Sequence, residues 1–261
     1  MSQPSLSTLL EFALEVTYQA GKITLGYFQT GVGVERKADS SPVTIADKTA
    51  EQYLRAQIEK YWPDHGMIGE EFGQQPGKGE YVWTIDPIDG TKSFVQGVPI
   101  YANLIALTDG KRPLVGVANF PALNEIVYAT LGGGCYWNGR RARVSTCAVM
   151  KDAVLLGSEI DLTKYGEAKM EGWDRLLKAT YIHRTWGDAY GYALVATGRA
   201  EIMVDAIMQV WDCGPFQVIM EEAGGTFTDW RGVPTIYNHE AIATNGLLYD
   251  ETLGLVQPLT Q

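Results

Sequence analysis

An apolar run that delivers two aspartates into one sharp turn is the part of this chain best suited to chemistry. The stretch Trp83-Thr84-Ile85-Asp86-Pro87-Ile88-Asp89-Gly90-Thr91 ends in two carboxylates, a proline and a glycine. Glu70 and Glu71 precede it, and Asp212 follows a second apolar run much later. Carboxylate and carbonyl oxygens are what hard divalent cations such as Mg²⁺ prefer, in octahedral sites that keep some water and meet substrate phosphate. In a regular strand Asp86 and Asp89 would point to opposite faces. Pro87 interrupts that regularity. A turn across Pro87 and Ile88 can fold both carboxylates and the Ile88 carbonyl toward one point, and Gly90 permits tight backbone geometry. Thr91-Lys92-Ser93-Phe94 then begins a short helix whose free amides can receive an anion. The same residues also suit an Asx turn closing a strand, and Asp212 also suits a plain helix cap. Their combination with Glu70 and Glu71 weighs toward metal binding.

Positioning these groups requires a mixed set of elements. From Ser7 to about Phe28, apolar and small residues recur at three- and four-residue intervals, as on an amphipathic helix capped by Ser5 or Ser7. Val34 to Lys37 reads as a short strand, and Ala46 to Tyr61 as a helix capped by Thr44, with Asp47 in its first turn. Met67 to Glu71 reads as a strand ending in acidic residues, and Gly73 to Glu80 as a polar loop. Strands are expected at Tyr81 to Asp86, Tyr101 to Thr108, Val115 to Phe120 and Ile126 to Thr130, with a hairpin turn at Asn138-Gly139. This serial order favours hairpins over a doubly wound dinucleotide-binding sheet. Beyond it, helices are predicted over Lys164 to Lys178, Gly187 to Thr197, Cys213 to Ala223 and Asp250 to Val256. Strands are predicted at Ala153 to Leu156, Ala200 to Asp205, Thr226 to Asp229 and Ala241 to Thr244. Asp212 would cap the Cys213 helix, and Pro215 would fall in its first turn, where a missing amide costs little. A polar connection near Arg143 to Asp152 divides the chain into an amino-terminal α/β portion, 1–144, and a carboxyl-terminal α/β portion, 145–261.

Composition narrows the classes. The chain has 261 residues, 46% of them hydrophobic and 20% charged, enough to bury a substantial core. A formal net charge of -10 without a Lys/Arg block argues against nucleic acid and against a basic membrane footprint. Cys135, Cys147 and Cys213 are too scattered for a disulfide framework or a structural zinc site. With no secretory leader pattern and no membrane-length apolar run, a cytoplasmic location is the default. His65, His183 and His239 are dispersed, Ser93 and Ser158 lack an evident Asp/His relay, and Gly132-Gly133-Gly134 lacks the residues of a phosphate-binding loop.

Gly69-Glu70-Glu71, the Trp83 to Thr91 stretch, Trp211-Asp212 and Glu221-Glu222-Ala223-Gly224-Gly225 together resemble the inositol-monophosphatase-like family of Mg²⁺-dependent phosphatases, in order and separation across most of the chain. The resemblance implies a layered α/β/α/β/α sandwich with an antiparallel sheet and a second mixed sheet, a homodimer, and two or three Mg²⁺ ions. It places metal-ligand roles on Glu70, Asp86, Asp89, Asp212 and the Ile88 carbonyl. It puts Thr91 beside the attacking water, Asp47 beside Thr91, and Lys37 near the acidic site; taken singly, Asp47 also reads as a helix-terminal charge and Lys37 as a solvated one. The implied reaction is metal-assisted hydrolysis of a phosphate monoester, in which Glu70 and Thr91 orient or deprotonate water for in-line attack without a covalent phospho-enzyme.

Within the family, Arg184-Thr185-Trp186-Gly187-Asp188-Ala189-Tyr190-Gly191-Tyr192 is similar to the histidinol-phosphate phosphatase branch. That substrate offers a phosphate, an ammonium group and an imidazole. Gly90 and Thr91 are then expected at the phosphate end, Asp188 at the ammonium or imidazole, and Asp205 at a position where the broader family carries an acidic substrate-binding residue. Arg184 would position Asp188 or reach the substrate. The nearest alternative activity is inositol monophosphatase, and a noncatalytic phosphometabolite-binding protein is the alternative of a different class. The broader family follows its Trp-Asp pair with small residues, whereas Pro215 and Phe216 stand here, so the wall shaped by Phe216 is expected to differ.

Overall fold

The computed structural model describes residues 4–257. Helix α1 (Leu6–Tyr27) is capped by Ser5, whose Oγ accepts the Thr8 amide at 3.1 Å. An antiparallel pair, β1 (Val34–Arg36) and β2 (Pro42–Thr44), leads into α2 (Ile45–Tyr61). Eight strands follow in one sheet: β3 (Gly66–Gly69), β4 (Gly73–Gln75), β5 (Val82–Asp89), β6 (Ala102–Thr108), β7 (Pro113–Phe120), β8 (Glu125–Thr130), β9 (Gly134–Trp137) and β10 (Arg140–Arg141). A short helix, α3 (Thr91–Val95), separates β5 from β6. The rest of the chain gives β11 (Val154–Gly157), α4 (Leu162–Ala179), β12 (Ile182–Arg184), α5 (Ala189–Ala196), β13 (Ile202–Asp205), α6 (Val210–Ala223), β14 (Thr226–Thr228), β15 (Ala241–Thr244) and α7 (Tyr249–Val256).

The larger sheet has the order β10-β9-β8-β7-β6-β5-β3-β4, and the smaller, mixed sheet β12-β11-β13-β15-β14. From β5 to β10 every pairing is antiparallel, in keeping with the serial hairpins, and Asn138 and Gly139 turn β9 into β10 with φ of 48° and 77°. One pair in this sheet, β3 with β5, is parallel. The chain turns back from β3 into β4 at the edge and then crosses to the other side of β3, so β5 must run in the direction of β3.

Period-two alternation sorts the side chains into layers. On the larger sheet Ile105, Leu107, Val115 and Val117 face α1 and α2, together with Leu9, Leu54 and Ile58. Leu104, Ala118 and Phe120 face the other way, onto α5 and α6. The smaller sheet presents Met203, Ala241 and Ala243 to the same two helices, and Ile202, Val204 and Ile242 to α4 and α7. The result is the layered α/β/α/β/α sandwich. Each large apolar side chain so buried stabilises the fold by about 1.5–3 kcal/mol.

Several expectations change: β5 continues through Pro87 to Asp89 where a turn was expected, and β2 forms beside β1 where no strand was expected. The segment read as a polar loop from Gly73 contains β4, whose residues are all exposed, and β12 forms where no strand was expected; both are edge strands fixed by their neighbours rather than by their own burial pattern. The helix over 210–223 is capped by Gln209, one turn earlier than expected, and Asp212 occupies its third position, accepting the Gln209 amide at 2.7 Å. Pro215 consequently sits inside the helix, beyond the free first-turn amides.

Candidate active site

The site forms where β5, α6 and the end of β3 converge. In the β5–β6 ladder Asp86 pairs with Leu104 and Asp89 with Ala102, so three steps on β5 oppose two on β6. This bulge is the local consequence of Pro87, which cannot donate to a ladder. Asn103 pins it by donating to the Pro87 carbonyl at 2.6 Å, and the Ile88 amide donates to Asp86 Oδ1 at 3.0 Å. The Asx-type bond and the convergence of carboxylates therefore coexist. Gly90 follows with φ 78°, a conformation that releases the strand into α3.

Asp86, Asp89 and Asp212 each place a carboxylate oxygen within 4.8 Å of the others. Asp89 Oδ2 accepts the Ala189 amide at 2.6 Å, which ties β5 to the start of α5. Burial raises the pKa of Asp86 well above the usual carboxylate range, and the charges of Glu70, Asp89 and Asp212 add to it. Burial does the same to Asp89, reinforced by Asp188 and Asp212. Asp212 is pushed up to about 7, again chiefly by burial, against the Gln209 amide that opposes the rise.

Glu70 lines the same cavity as this trio but turns toward Lys37, whose Nζ lies 2.7 Å from Glu70 Oε1 and 2.6 Å from Glu71 Oε1. Burial drags the Lys37 ammonium down, but the two glutamates more than reverse this and hold it protonated. Glu71 is raised to about 7, burial outweighing its bond to Lys37. Behind them, Thr91 Oγ donates to the Ile88 carbonyl at 3.0 Å and lies 3.3 Å from Asp47 Oδ1. The other Asp47 oxygen accepts both the amide and the hydroxyl of Thr44, at 2.8 and 2.6 Å. Asp47 is thus at once the helix-capping partner and the neighbour of Thr91, and burial raises its pKa.

Two adjoining cavities meet over the cluster. One, of about 160 Å³, is lined by Glu70, Asp86, Ile88, Gly90, Thr91 and Lys92 among others; the second, of about 170 Å³, by Ser158, Asp205, Ile207, Met208 and Phe216. Asp89, Glu159, Asp188 and Asp212 line both. Asp188 holds φ 50° and ψ −151°, a backbone region that side chains rarely tolerate, and Ser158 Oγ donates to its Oδ1 at 2.8 Å. Asp205 is buried, accepts the Ile207 amide at 3.1 Å and has its pKa raised mainly by that burial.

Arg184 stands apart from this arrangement. Its guanidinium donates to the His183 carbonyl at 2.7 Å and lies over the Trp186 ring, 5.9 Å from its centroid, so no contact with Asp188 is seen. Sequence reasoning passed over Ser158 and Glu159. Ser158 was judged only as a nucleophile, whereas its hydroxyl holds Asp188. Glu159 follows it with φ 45° and pairs with Lys92 and Lys164, an arrangement that no local pattern announces.

Comparison with known proteins gives a consistent picture. The model of the inositol monophosphatase family matches residues 5–261. A histidinol-phosphatase from Chlorobaculum parvum is 42% identical over 236 residues, 90% of this chain and 91% of that protein. A fructose-1,6-bisphosphatase/inositol-1-monophosphatase from Thermotoga maritima is 32% identical over 256 residues, 97% of each chain. Among solved structures, the extragenic suppressor protein suhB from Bartonella henselae superimposes with a TM-score of 0.90 at 26% identity, covering 95% of this chain and 98% of its own.

Proposed function

Since this chain belongs to the inositol monophosphatase family and is a phosphate-monoester hydrolase, we propose that it hydrolyses L-histidinol phosphate to L-histidinol and inorganic phosphate with Mg²⁺ as cofactor. The observation that carries the substrate assignment is the second cavity, where Asp188 and Asp205 line the space next to the Asp86–Asp89–Asp212 cluster, Glu159 being already paired with Lys92 and Lys164. A phosphoryl group over the cluster leaves its alcohol portion in that acidic space, which suits an ammonium and an imidazole.

The donor set fits a hard divalent cation. Among the described residues, none of Asp86, Asp89 and Asp212 has a Lys or Arg ion-pair partner, and all three have raised pKa values, so their accumulated charge calls for a cation from outside. Glu70, Asp86, Asp89, Asp212 and the Ile88 carbonyl would hold it. When bound, it supplies Lewis acidity toward the phosphoryl oxygens and the attacking water.

The chain's own groups do the remaining work. Asp47 and the Ile88 carbonyl orient the Thr91 hydroxyl, leaving its lone pairs to receive a water at the cavity wall. Glu70 accepts the proton of that water, Lys37 fixing the carboxylate in place through one oxygen. The new oxygen–phosphorus bond forms in line with the breaking bond to the histidinol oxygen, which leaves with a proton from solvent. Asp188 and Asp205 bind the cationic part of the leaving group, with Gly90 and Thr91 at its phosphate end. We read residues 1–144 and 145–261 as two portions whose junction makes the site. A cytoplasmic homodimer working in histidine biosynthesis is the setting we propose on the resemblance. Among the described residues no helix is long and apolar enough to cross a membrane.

The ratio of kcat/KM for histidinol phosphate to that for inositol 1-phosphate tests the assignment. A strong preference for the first is expected; the reverse would favour inositol monophosphatase, the reading supported by the Thermotoga maritima relative.

A further inference from the structure

Helix α2 carries Asp47, Glu51 and Arg55 four residues apart, stacked on one face. The first reaches Thr91, as described. The second is fully buried and belongs to none of the roles assigned so far. A buried carboxylate is tolerated only when its oxygens are satisfied. Glu51 Oε2 accepts the Glu71 amide at 2.7 Å; Oε1 accepts the Phe72 amide at 3.2 Å and Arg55 Nε at 2.7 Å. Arg55 also donates through Nη2 to the Gly73 carbonyl.

These contacts grip one short segment. Gly69 of β3 pairs with Gly73 of β4, so Glu70, Glu71 and Phe72 form the three-residue loop of a hairpin. Glu51 sits beneath the loop and collects its inward amides. The approach is so close that a Cβ at position 69 would lie 2.1 Å from Glu51 Oε1, which explains a glycine immediately before Glu70. With amides 71 and 72 held inward, the Glu70 side chain is directed to Lys37 and the cavity that holds Asp86 and Thr91.

We propose that Glu51, braced by Arg55, is a positioning pair: it fixes the loop backbone that presents Glu70, and so sets the affinity of the acidic cluster for its divalent cation. This rests on the reading of Glu70 as a cation ligand. Partners that orient a ligand through a hydrogen bond typically change metal affinity or activity by about ten- to a hundredfold when removed.

The test titrates Mg²⁺ alone, without substrate, into wild type, Glu51→Gln, Arg55→Gln and Glu70→Gln by calorimetry, well below each protein's Tm. It is paired with hydrogen exchange of the amides at 70–73. Glu51→Gln is expected to bind Mg²⁺ about ten- to a hundredfold more weakly and to exchange the 71 and 72 amides faster; Arg55→Gln should move both in the same direction by less. A pair that only stabilised the fold would lower Tm and leave the affinity of the folded protein at the wild-type value, and that result overturns the proposal. If Glu51→Gln does not fold, Arg55→Gln decides by the same criterion. If Glu70→Gln binds Mg²⁺ as wild type does, the reading of Glu70 as a ligand fails and takes the proposal with it. If Glu70→Gln is weakened while Glu51→Gln and Arg55→Gln are not, only the positioning role falls.

Discussion

Asp229 and Asp86 are both buried aspartates, with 0% and 2% of their surface exposed, yet the protein treats them in opposite ways. Asp229 closes the loop after β14. Its Oδ1 accepts the amides of Arg231 and Val233, each at 2.8 Å, and its Oδ2 accepts Asn238 Nδ2 at 2.7 Å. Burial works to raise its pKa, but these donors prevail and hold it below the usual range. Asp86 receives the Ile88 amide and then faces Glu70, Asp89 and Asp212, so burial and like charge drive its pKa upward together. A carboxylate satisfied by its own chain serves the fold. One surrounded by others like it stores repulsion that a bound cation relieves, at some cost to the empty protein.

Replacing Asp86 by Asn gives the largest effect this contrast predicts. Turnover should fall by about a thousandfold, equivalent to roughly 4 kcal/mol of lost transition-state stabilisation. In metal-free buffer the same variant should be no less stable than wild type, because a repelling charge has gone. Denaturant melts in EDTA check the second part; a destabilised Asp86→Asn would erase the distinction from Asp229.

Metal removal comes next. The folded-state pKa of Asp212, about 7, exceeds its ordinary value of 3.8, and those of Asp86 and Asp89 are also raised. Over that interval the metal-free native state binds more protons than the unfolded chain. The contribution of Asp212 to stability is therefore most favourable at low pH and is lost as pH rises from about 4 through about 7, and the contributions of Asp86 and Asp89 change in the same direction. Mg²⁺ at a hundred times its Kd should restore about 2.7 kcal/mol at pH 8, and less at pH 5, where protons compete for the same oxygens. Unfolding midpoints with EDTA and with Mg²⁺ at the two pH values measure this. A Mg²⁺ increment as large at pH 5 as at pH 8 would contradict it.

Asp229→Asn probes the other side. An amide nitrogen would replace one acceptor oxygen among the backbone and side-chain donors, leaving one of them unpaired at about 2 kcal/mol. The linkage sign is reversed too: a lowered pKa gives stability that is present above the ordinary value and lost on acidification. The folded variant should keep wild-type turnover, as followed by denaturant melts beside a phosphate-release assay.

Much of this contrast was legible in the sequence, and the illegible parts share a physical cause. Thr44 and Asp47, three residues apart, announced a cap that the structure contains, and Pro87 announced a break in regular strand geometry at Asp86 and Asp89, although a turn was expected where the structure has a bulge within β5. Such features depend on a few neighbouring residues. The position of Asp212 was misread by one turn because a Gln seldom caps a helix, so the start at Gln209 was invisible while an Asp stood nearby. β4 and β12 escaped because an edge strand borrows its geometry from its partner. Glu51 escaped for another reason. In the middle of α2, among ordinary helix formers, it reads as a solvated charge, and only the return of the chain at residues 71–73 places its partners around it.

Asp188 lies between the two kinds of carboxylate, and its replacement gives the smallest and most discriminating effect. Its strained backbone, φ 50° and ψ −151°, carries the carboxylate into both cavities, where Ser158 holds one oxygen. Asn keeps the shape and can still accept the Ser158 hydroxyl, so the change is mainly one of charge. Loss of an ionic contact to a partly hydrated ammonium should lower kcat/KM for histidinol phosphate about tenfold, or about 1.4 kcal/mol, and leave inositol 1-phosphate nearly unaffected. Steady-state kinetics on the two esters separate the possibilities. Equal losses on both would transfer Asp188 to the cation cluster, where its charge already raises the pKa of Asp89, and the group of unsatisfied carboxylates would gain a fourth member.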